Sequence, residues 1–204
     1  IAAASAAMAA GGCAHQAVRP APLDSARFAH IDEAIGDVVG ARRTPGAVFH
    51  LERGGMAYQK AYGSYSYEAG AAPVTTATVF DAASLTKIVA TAPSVMLLAE
   101  DGRIALDAPV ARYLPECAGG GRDPITVRHL LTHTSGLPAG LPARPAWQGQ
   151  QAALELACRQ VPGEAPGTSF RSSDVNYLLL GQLVQRVAGV PLYRFGRGRM
   201  FAPL

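Results

Sequence analysis

The chain has 204 residues, of which 49% are apolar and 16% charged, and its formal net charge at neutral pH is +3. This composition excludes a disordered chain, and the length suits one domain or one domain with an incomplete second. The arginines are scattered apart from a cluster at Arg194, Arg197 and Arg199, which we interpret as a solvated helix face. The charge therefore gives no argument for a nucleic-acid partner, and we expect none.

The first 23 residues differ in composition from the rest of the chain. Residues 1–12 are small and apolar without a charge, Cys13 follows two glycines, and a polar run with prolines extends to Pro22. This pattern is typical of the end of an export signal that is cleaved before a lipid-carrying cysteine. We therefore expect residues 1–23 to be a leader and linker, and the protein to be periplasmic or anchored to a membrane through Cys13. The domain would then occupy residues 24–204.

The beginning of that domain predicts a helix followed by a hairpin. Apolar residues recur at helical spacing over residues 28–39, with Asp24 or Ser25 as the cap. Residues 47–52 and 56–62 flank a glycine turn and alternate as strands do. The pattern predicts no other strand, and a lone hairpin needs partner strands at its edges. We therefore expect an incomplete sheet and marginal stability.

The remainder of the chain is mainly helical in pattern. Further helices are expected at residues 84–100, 109–114, 126–131, 150–159 and 175–187, with a last short one from Pro191. A loop rich in proline and glycine, residues 139–148, carries the single tryptophan, Trp147, and is placed to overhang a pocket. The cysteines Cys13, Cys117 and Cys158 have neither zinc-site nor redox spacing, so the sequence predicts no disulfide framework.

The stretch FDAASLTK, residues 80–87, carries the most informative pair of side chains. Ser84 and Lys87 are three apart, so on a helix they share one face, about 5–6 Å apart at Cβ. A serine nucleophile needs a partner to accept its proton, and a lysine can do so where apolar surroundings disfavour the ammonium form. The chain has sixteen arginines and only two lysines, and arginine could not replace Lys87 as a base. The alternative is a serine helix cap with a solvated lysine one turn later.

Two histidines have a spacing that can chelate zinc. His129 and His133 are four apart, but no glutamate lies between them and no third ligand is evident downstream. A structural hydrogen bond by His133 in the turn of residues 132–138 is the better interpretation. We therefore expect no metal and no cofactor.

Several stretches match a known family in order along the chain. They resemble the serine β-lactamase and penicillin-binding-protein family, and most closely the class C β-lactamase-related hydrolases, which include esterases and D-amino-acid peptidases. The matching segments are residues 78–87, 101–107, 109–110, 113–115, 125–138 and 166–170. The resemblance covers residues 24–204.

The resemblance implies a fold and a chemistry. The fold is α+β, with an antiparallel sheet flanked by helices, a helical subdomain beside it and the active site in the cleft between them. Ser84 matches the acylated nucleophile, Lys87 matches its base partner, and the backbone N–H of Ser84 matches one of two oxyanion donors. The expected substrate is a small ester, amide or peptide.

The sequence departs from the family pattern in two places. The second motif of the family is Tyr-Ser-Asn or Tyr-Ser-Asp, whereas this chain has Ser172-Ser173-Asp174, so a serine stands where the phenol oxygen is expected. Tyr177, one helical turn later, matches a separate core aromatic and is expected to pack. A third motif, of the type Lys/His-Thr/Ser-Gly, is not found before Leu204, and neither are the strands that complete the sheet.

These observations lead to two hypotheses about function. The first is a β-lactamase-related serine hydrolase that acts through a Ser84 acyl-enzyme, with Ser84, Lys87, Ser172 and Asp174 as site residues and with impaired turnover. The second is a catalytically inactive fragment or binding protein that retains the N-terminal part of the fold. A covalent probe of Ser84 distinguishes them.

Overall fold

The computed structural model describes residues 28–204. The predicted leader, Cys13 and the helix cap at Asp24 or Ser25 lie outside the described residues. The chain divides into two compact units, the first ending at Phe80 and the second running from Asp81 to Leu204.

The first unit contains the predicted helix and hairpin. Helix α1 spans Ala29–Gly40, and strand β1, Gly46–Arg53, pairs antiparallel with strand β2, Met56–Gly63. The two turn residues, Gly54 and Gly55, have φ of +59° and +77°, values that suit a two-residue hairpin turn and that glycine adopts without steric cost. The hairpin is the only sheet formed by residues 28–204. The sequence prediction of one helix and one hairpin is confirmed.

Three side chains of β2 donate hydrogen bonds to one carboxylate on α1. Asp32 accepts hydrogen bonds from the hydroxyl of Tyr58, at 2.8 Å, from the hydroxyl of Tyr62 and from the ammonium of Lys60. Phe28 stacks on the ring of Tyr58 with the centroids 4.4 Å apart. The hydrogen bond from Lys60, followed by the one from Tyr62, lowers the pKa of Asp32 to about 2. These contacts hold α1 on the hairpin.

We expect Asp32→Asn to lower the melting temperature of the first unit by several degrees at neutral pH. The unfolded aspartate has an ordinary pKa of 3.8, whereas the folded one stays charged down to about pH 2. The stabilisation from Asp32 is therefore present above about pH 4 and is lost as the pH falls towards 2. The near-UV circular dichroism of the tyrosines reports the melt. Asp37→Asn changes an exposed carboxylate on the same helix and is the control; equal melts for both variants would contradict the prediction.

The second unit begins with the segment that contains Ser84. A π-helical turn, Lys87–Thr91, leads directly into helix α2, Ala92–Glu100. The predicted helix is thus present, but its first turns are wider than an α-helix. Pro93 lies just after the wide turn and has no N–H to complete an α-helical bond to Val89, a position where helices open in this way.

The other predicted helices are also present, except that residues 109–114 form only a 3₁₀ turn, Val110–Arg112, and not a helix. Their bounds are α3, Val127–Leu131; α4, Gly149–Arg159; α5, Asp174–Ala188; and α6, Leu192–Gly196, which continues as a π-helical turn, Arg197–Phe201. Two 3₁₀ turns, Val110–Arg112 and Pro115–Cys117, lie between α2 and α3. Arg199 is not simply solvated as predicted, because its guanidinium pairs with the carboxylate of Asp101 at 2.9 Å.

The core of this unit is built around α5. Its buried residues recur at helical spacing and contact buried residues of α2, α3 and α4; on α5 they are Val175, Asn176, Leu179, Leu180, Leu183 and Val184. Burial of each leucine or valine side chain contributes about 1.5–3 kcal/mol relative to exposure. Leu178, on the same helix, is 39% exposed. Because the buried residues of α5 begin at Val175, the N-terminal end of the helix is anchored in the core.

A disulfide joins Cys117 to Cys158, and the prediction of no disulfide framework was wrong. Cys117 ends a 3₁₀ turn and Cys158 lies in α4, and both are buried in the core. The pairing joins residues 41 apart that only tertiary packing brings together, so their spacing carries no signal. Closing a loop of this length stabilises the fold by about 4 kcal/mol through restriction of the unfolded chain.

None of the helices of residues 28–204 combines the length and the apolar character needed to cross a membrane.

Candidate active site

Ser84 lies in a tight turn that precedes the π-helical turn. The carboxylate of Asp81 accepts the backbone N–H of Ala83 at 2.8 Å, and Ala83 has a left-handed φ of +43°. Such a conformation costs a residue with a Cβ about 1–2 kcal/mol. The N–H of Lys87 then bonds the carbonyl of Ser84 at 3.0 Å. The turn leaves Ser84 exposed at the start of the helical segment.

Lys87 connects Ser84 to a carboxylate on α5. Its Nζ donates to Ser84 Oγ at 3.0 Å and lies 2.7 Å from Asp174 Oδ1. The lysine side chain is 20% exposed, so most of it is shielded from solvent. Three of the four predicted site residues, Ser84, Lys87 and Asp174, therefore come together in one chain of contacts.

Asp174 is held in place by the cap of α5. Ser173 Oγ accepts the N–H of Asn176 at 3.3 Å and donates to the carbonyl of Pro138 at 2.6 Å. The N–H of Asp174 donates to the carbonyl of Ala139 at 2.6 Å. A carboxylate in the first turn is also favoured by the helix dipole. The loop after residue 136 thus fixes where Asp174 meets Lys87.

Ser172 does not join this group. It is exposed and is not among the residues that line the cavity at Ser84. Ser172 has the chain position of the tyrosine in the family motif, but its short side chain does not reach the cavity.

Tyr177 packs as predicted, and it also contributes to the cavity, a role that sequence reasoning missed. Its hydroxyl donates to the carbonyl of Leu131 at 3.2 Å, and its ring contacts the imidazole of His133 with the centroids 5.0 Å apart. Lys87 Nζ lies 5.9 Å from the centre of the same ring. Burial raises the pKa of Tyr177. Its spacing of three from Asp174 on a helix was the available signal.

The cavity at Ser84 is open and has a volume of about 470 Å³. Its lining residues all belong to the second unit; they are Ala83, Ser84, Thr86, Lys87, Thr91, Asp174, Tyr177 and Leu178. Trp147 is not one of them, and its indole N–H donates to the carbonyl of Pro142 within its own loop at 2.9 Å. The cavity at Ser84 is therefore not the pocket that this loop was predicted to overhang.

The two histidines of the possible zinc pair have separate structural partners. His129 caps α3 reciprocally, because its Nδ1 accepts the N–H of Thr126 while the hydroxyl of Thr126 accepts the N–H of His129, both at 3.2 Å. His133 Nδ1 accepts the N–H of Ser173 at 3.1 Å, which is the predicted structural hydrogen bond. In the described part of the chain, no three His, Cys, Asp or Glu side chains converge to hold a metal ion.

A family model described as Beta-lactamase matches residues 31–204. The chain belongs to the β-lactamase family. This confirms the resemblance drawn from the motifs around Ser84, Lys87 and His133.

Individual members of the β-lactamase family show the same relationship. The esterase EstB of Burkholderia gladioli is 44% identical over 121 residues, which are 56% of this chain and 30% of that protein. The solved structure of the D-amino acid amidase from Ochrobactrum anthropi SV3 is 27% identical, covers 85% of this chain and 49% of its own, and has a TM-score of 0.67. An octameric penicillin-binding protein homologue from Pyrococcus abyssi is 25% identical, covers 89% of this chain and 43% of its own, and has a TM-score of 0.73.

These likenesses confirm the predicted β-lactamase/transpeptidase-like fold. The chain spans between 30% and 39% of the lengths of the first curated relatives it matches. The helices and the single hairpin of residues 28–204 correspond to a part of that fold.

Proposed function

We propose that this β-lactamase-family chain is a serine hydrolase that forms an acyl-enzyme on Ser84 from a small ester or amide. The observation that carries the proposal is the position of Lys87 Nζ, 3.0 Å from Ser84 Oγ and 2.7 Å from Asp174 Oδ1. The base is thereby within hydrogen-bond reach of both the nucleophile and the group that orients the base, which is the geometry of an activated serine.

The reaction follows from these contacts. Ser84 Oγ attacks the carbonyl carbon of the substrate while its proton passes to Lys87 in the uncharged form. The carbonyl oxygen becomes an oxyanion, and the backbone N–H of Ser84 is the donor that the family resemblance assigns to hold it. The intermediate then collapses, the bond to the alcohol or amine breaks, and the leaving group takes the proton from the Lys87 ammonium. In the second half of the reaction, the uncharged Lys87 takes a proton from a water molecule whose oxygen attacks the carbonyl carbon of the Ser84 ester. The bond from that carbon to Ser84 Oγ then breaks, Lys87 returns the proton to Ser84 Oγ, and the carboxylic acid leaves.

Asp174 has two tasks in this scheme. It accepts a hydrogen bond from the Lys87 ammonium that forms during attack, and it keeps the flexible lysine side chain directed at Ser84. The ring of Tyr177, 5.9 Å from Lys87 Nζ, limits the space on another side of the ammonium. Asp174 and Tyr177 leave α5 one turn apart, so one rigid helix end positions both.

The lining of the cavity favours an uncharged substrate. Its charged residues are Lys87 and Asp174, which pair with each other. A neighbouring groove of about 500 Å³ shares Tyr177 and Leu178 with the cavity, and its other lining residues are uncharged: Gln150, Gly181, Gln182, Gln185, Pro191, Leu192 and Tyr193. The names of the esterase EstB and the D-amino acid amidase support the ester and amide class.

The burst of p-nitrophenolate released from p-nitrophenyl acetate tests the proposal. The wild-type chain should release one equivalent rapidly as Ser84 is acylated, followed by a slower steady rate. Ser84→Ala should show no burst, and Ser66→Ala, which changes a serine of the first unit, should leave the burst intact. Absence of a burst from the wild-type chain, or an equal burst from Ser84→Ala, would refute the proposal and favour the non-catalytic binding protein.

We expect Ser172→Tyr to raise the steady rate by about 10- to 100-fold, because a phenol at this position restores a proton-transfer group close to the nucleophile. The reason to expect slow turnover in the unmodified chain is the short, exposed side chain of Ser172. Arg171→Tyr places the same phenol one residue earlier and is the matched control. An equal rate for both variants and the wild type would show that position 172 has no part in the chemistry.

A further inference from the structure

We propose that His133 is a positioning residue for the site, and that only its uncharged imidazole holds the start of α5, and with it Asp174 and Tyr177, against Lys87. Protonation of His133 in mild acid would then displace Asp174 and Tyr177 from Lys87. The expected effect of His133 protonation on acylation rests on the proposed function. Its expected effect on the start of α5 rests on the structure alone.

The backbone places His133 where the loop and α5 meet. His133 has a left-handed φ of +58°, and its N–H donates to the carbonyl of Leu130 at 3.3 Å. Its own carbonyl accepts the N–H of Arg171 at 2.9 Å. The turn is thereby tied to the segment that leads into α5, and the imidazole points towards the helix start.

Two donors converge on one nitrogen of the imidazole. The N–H of Ser173, the cap residue of α5, lies 3.1 Å from His133 Nδ1, and Asn176 Nδ2 lies 3.4 Å from the same atom. The amide of Asn176 is oriented by Ser135, whose hydroxyl donates to Asn176 Oδ1 at 2.6 Å. Asn176 and Ser135 are both buried, so neither can turn to water. His133 Nδ1 must therefore carry a lone pair, and the proton of the neutral ring belongs on Nε2.

Protonation removes that lone pair. The imidazolium would present an N–H at Nδ1 to the N–H of Ser173 and to the amide of Asn176, leaving buried donors without an acceptor. Its ring also contacts Tyr177, at a centroid distance of 5.0 Å, and meets Phe170 edge-on at 5.9 Å. Movement of the ring would therefore disturb the helix cap and Tyr177 together.

Burial of His133 and the charge of Lys87 both favour the uncharged imidazole. Burial, followed by the positive charge of Lys87, lowers the pKa of His133 below its ordinary 6.5, while Asp174 opposes the shift. Of the other titratable groups on these elements, Tyr177 is uncharged at neutral pH, and the guanidinium of Arg171 lies 3.6 Å from the carboxylate of Glu164. The unfolded chain takes up the proton first as the pH falls below about 6.5. The stabilisation from neutral His133 is thus complete above that pH and is lost as the pH falls through the folded pKa.

His133→Asn keeps a hydrogen-bond acceptor at position 133 but removes the group that titrates. Asparagine tolerates a left-handed φ, and its side-chain oxygen can accept the N–H of Ser173 but cannot take up a proton in this range. We expect His133→Asn to keep the acylation rate at pH 8 within about threefold of wild type. Its acylation rate and melting temperature should fall less than those of the wild type between about pH 6.5 and 5. His133→Ala, which removes the acceptor, should lose at least about tenfold in rate at pH 8 and melt lower at every pH.

The experiment combines acylation by p-nitrophenyl acetate with thermal melts and an NMR titration of His133. His30→Asn, at an exposed histidine of the first unit, is the control and should behave as the wild type. If the wild-type chain is not acylated at any pH, the proposed function fails, while the melts and the titration still decide the role of His133. A His133→Asn variant that repeats the acid sensitivity of the wild-type melt, or an NMR titration at or above pH 6.5, would overturn the inference.

Discussion

Lys87→Arg should lower the rate of Ser84 acylation by about 1,000-fold, within the range that general-base catalysis contributes. Arginine keeps the positive charge and can pair with Asp174, but it stays protonated and cannot accept the serine proton. The variant therefore removes the proposed chemistry while it preserves the electrostatic contact between the helical segment and α5. Stopped-flow measurement of the p-nitrophenolate burst gives the rate.

The chain supplies a matched control for this substitution. Lys60 is the other lysine, and it pairs with Asp32 in the first unit. Lys60→Arg should acylate at the wild-type rate, since it makes the same chemical change at a lysine that does not line the cavity at Ser84. A Lys87→Arg variant that retains a tenth or more of the wild-type rate would show that Lys87 is not the base.

Asp174→Ala should lower the acylation rate by about 100-fold, and Asp174→Asn by less than about tenfold. Alanine removes the acceptor that lies 2.7 Å from Lys87 Nζ, so the lysine is no longer directed at Ser84 and its ammonium loses its partner. Asparagine retains an oxygen that can accept the same hydrogen bond, which is weaker without the charge.

Stability must be measured with these variants because Asp174 is also the first residue of α5. Loss of a carboxylate at a helix start costs about 0.3–1 kcal/mol. Melting curves will show whether this small cost accounts for any loss of rate. Glu155→Ala, on the exposed part of α4, is the control and should leave the rate unchanged. Equal acylation rates for Asp174→Ala and the wild type would show that Asp174 does not contribute to the reaction.

The parts of the site that the sequence predicted well are those set by local spacing. Ser84 and Lys87 are three residues apart, and their contact follows from that spacing even though Ser84 lies in a turn and Lys87 begins a π-helical turn rather than an α-helix. The hairpin follows from its two turn glycines in the same way. Such features need only the neighbouring residues of the chain, so a sequence pattern can reveal them.

The features that the sequence did not predict depend on tertiary packing. Cys117 and Cys158 meet because a 3₁₀ turn and α4 share one core, and nothing in their spacing indicates it. Ser172 was placed in the site by its position in a motif, but the direction and length of a side chain decide whether it reaches a cavity. The hydrogen bond of His133 was predicted for the turn, whereas its partner, Ser173, is known only once α5 is placed.

Reaction with a fluorophosphonate, followed by peptide mapping by mass spectrometry, shows whether Ser84 is a nucleophile. We expect a single adduct on the peptide that contains Ser84, absent from Ser84→Ala and formed about 1,000-fold more slowly by Lys87→Arg. No adduct between about pH 6 and 10, or an adduct on a different residue, would contradict it.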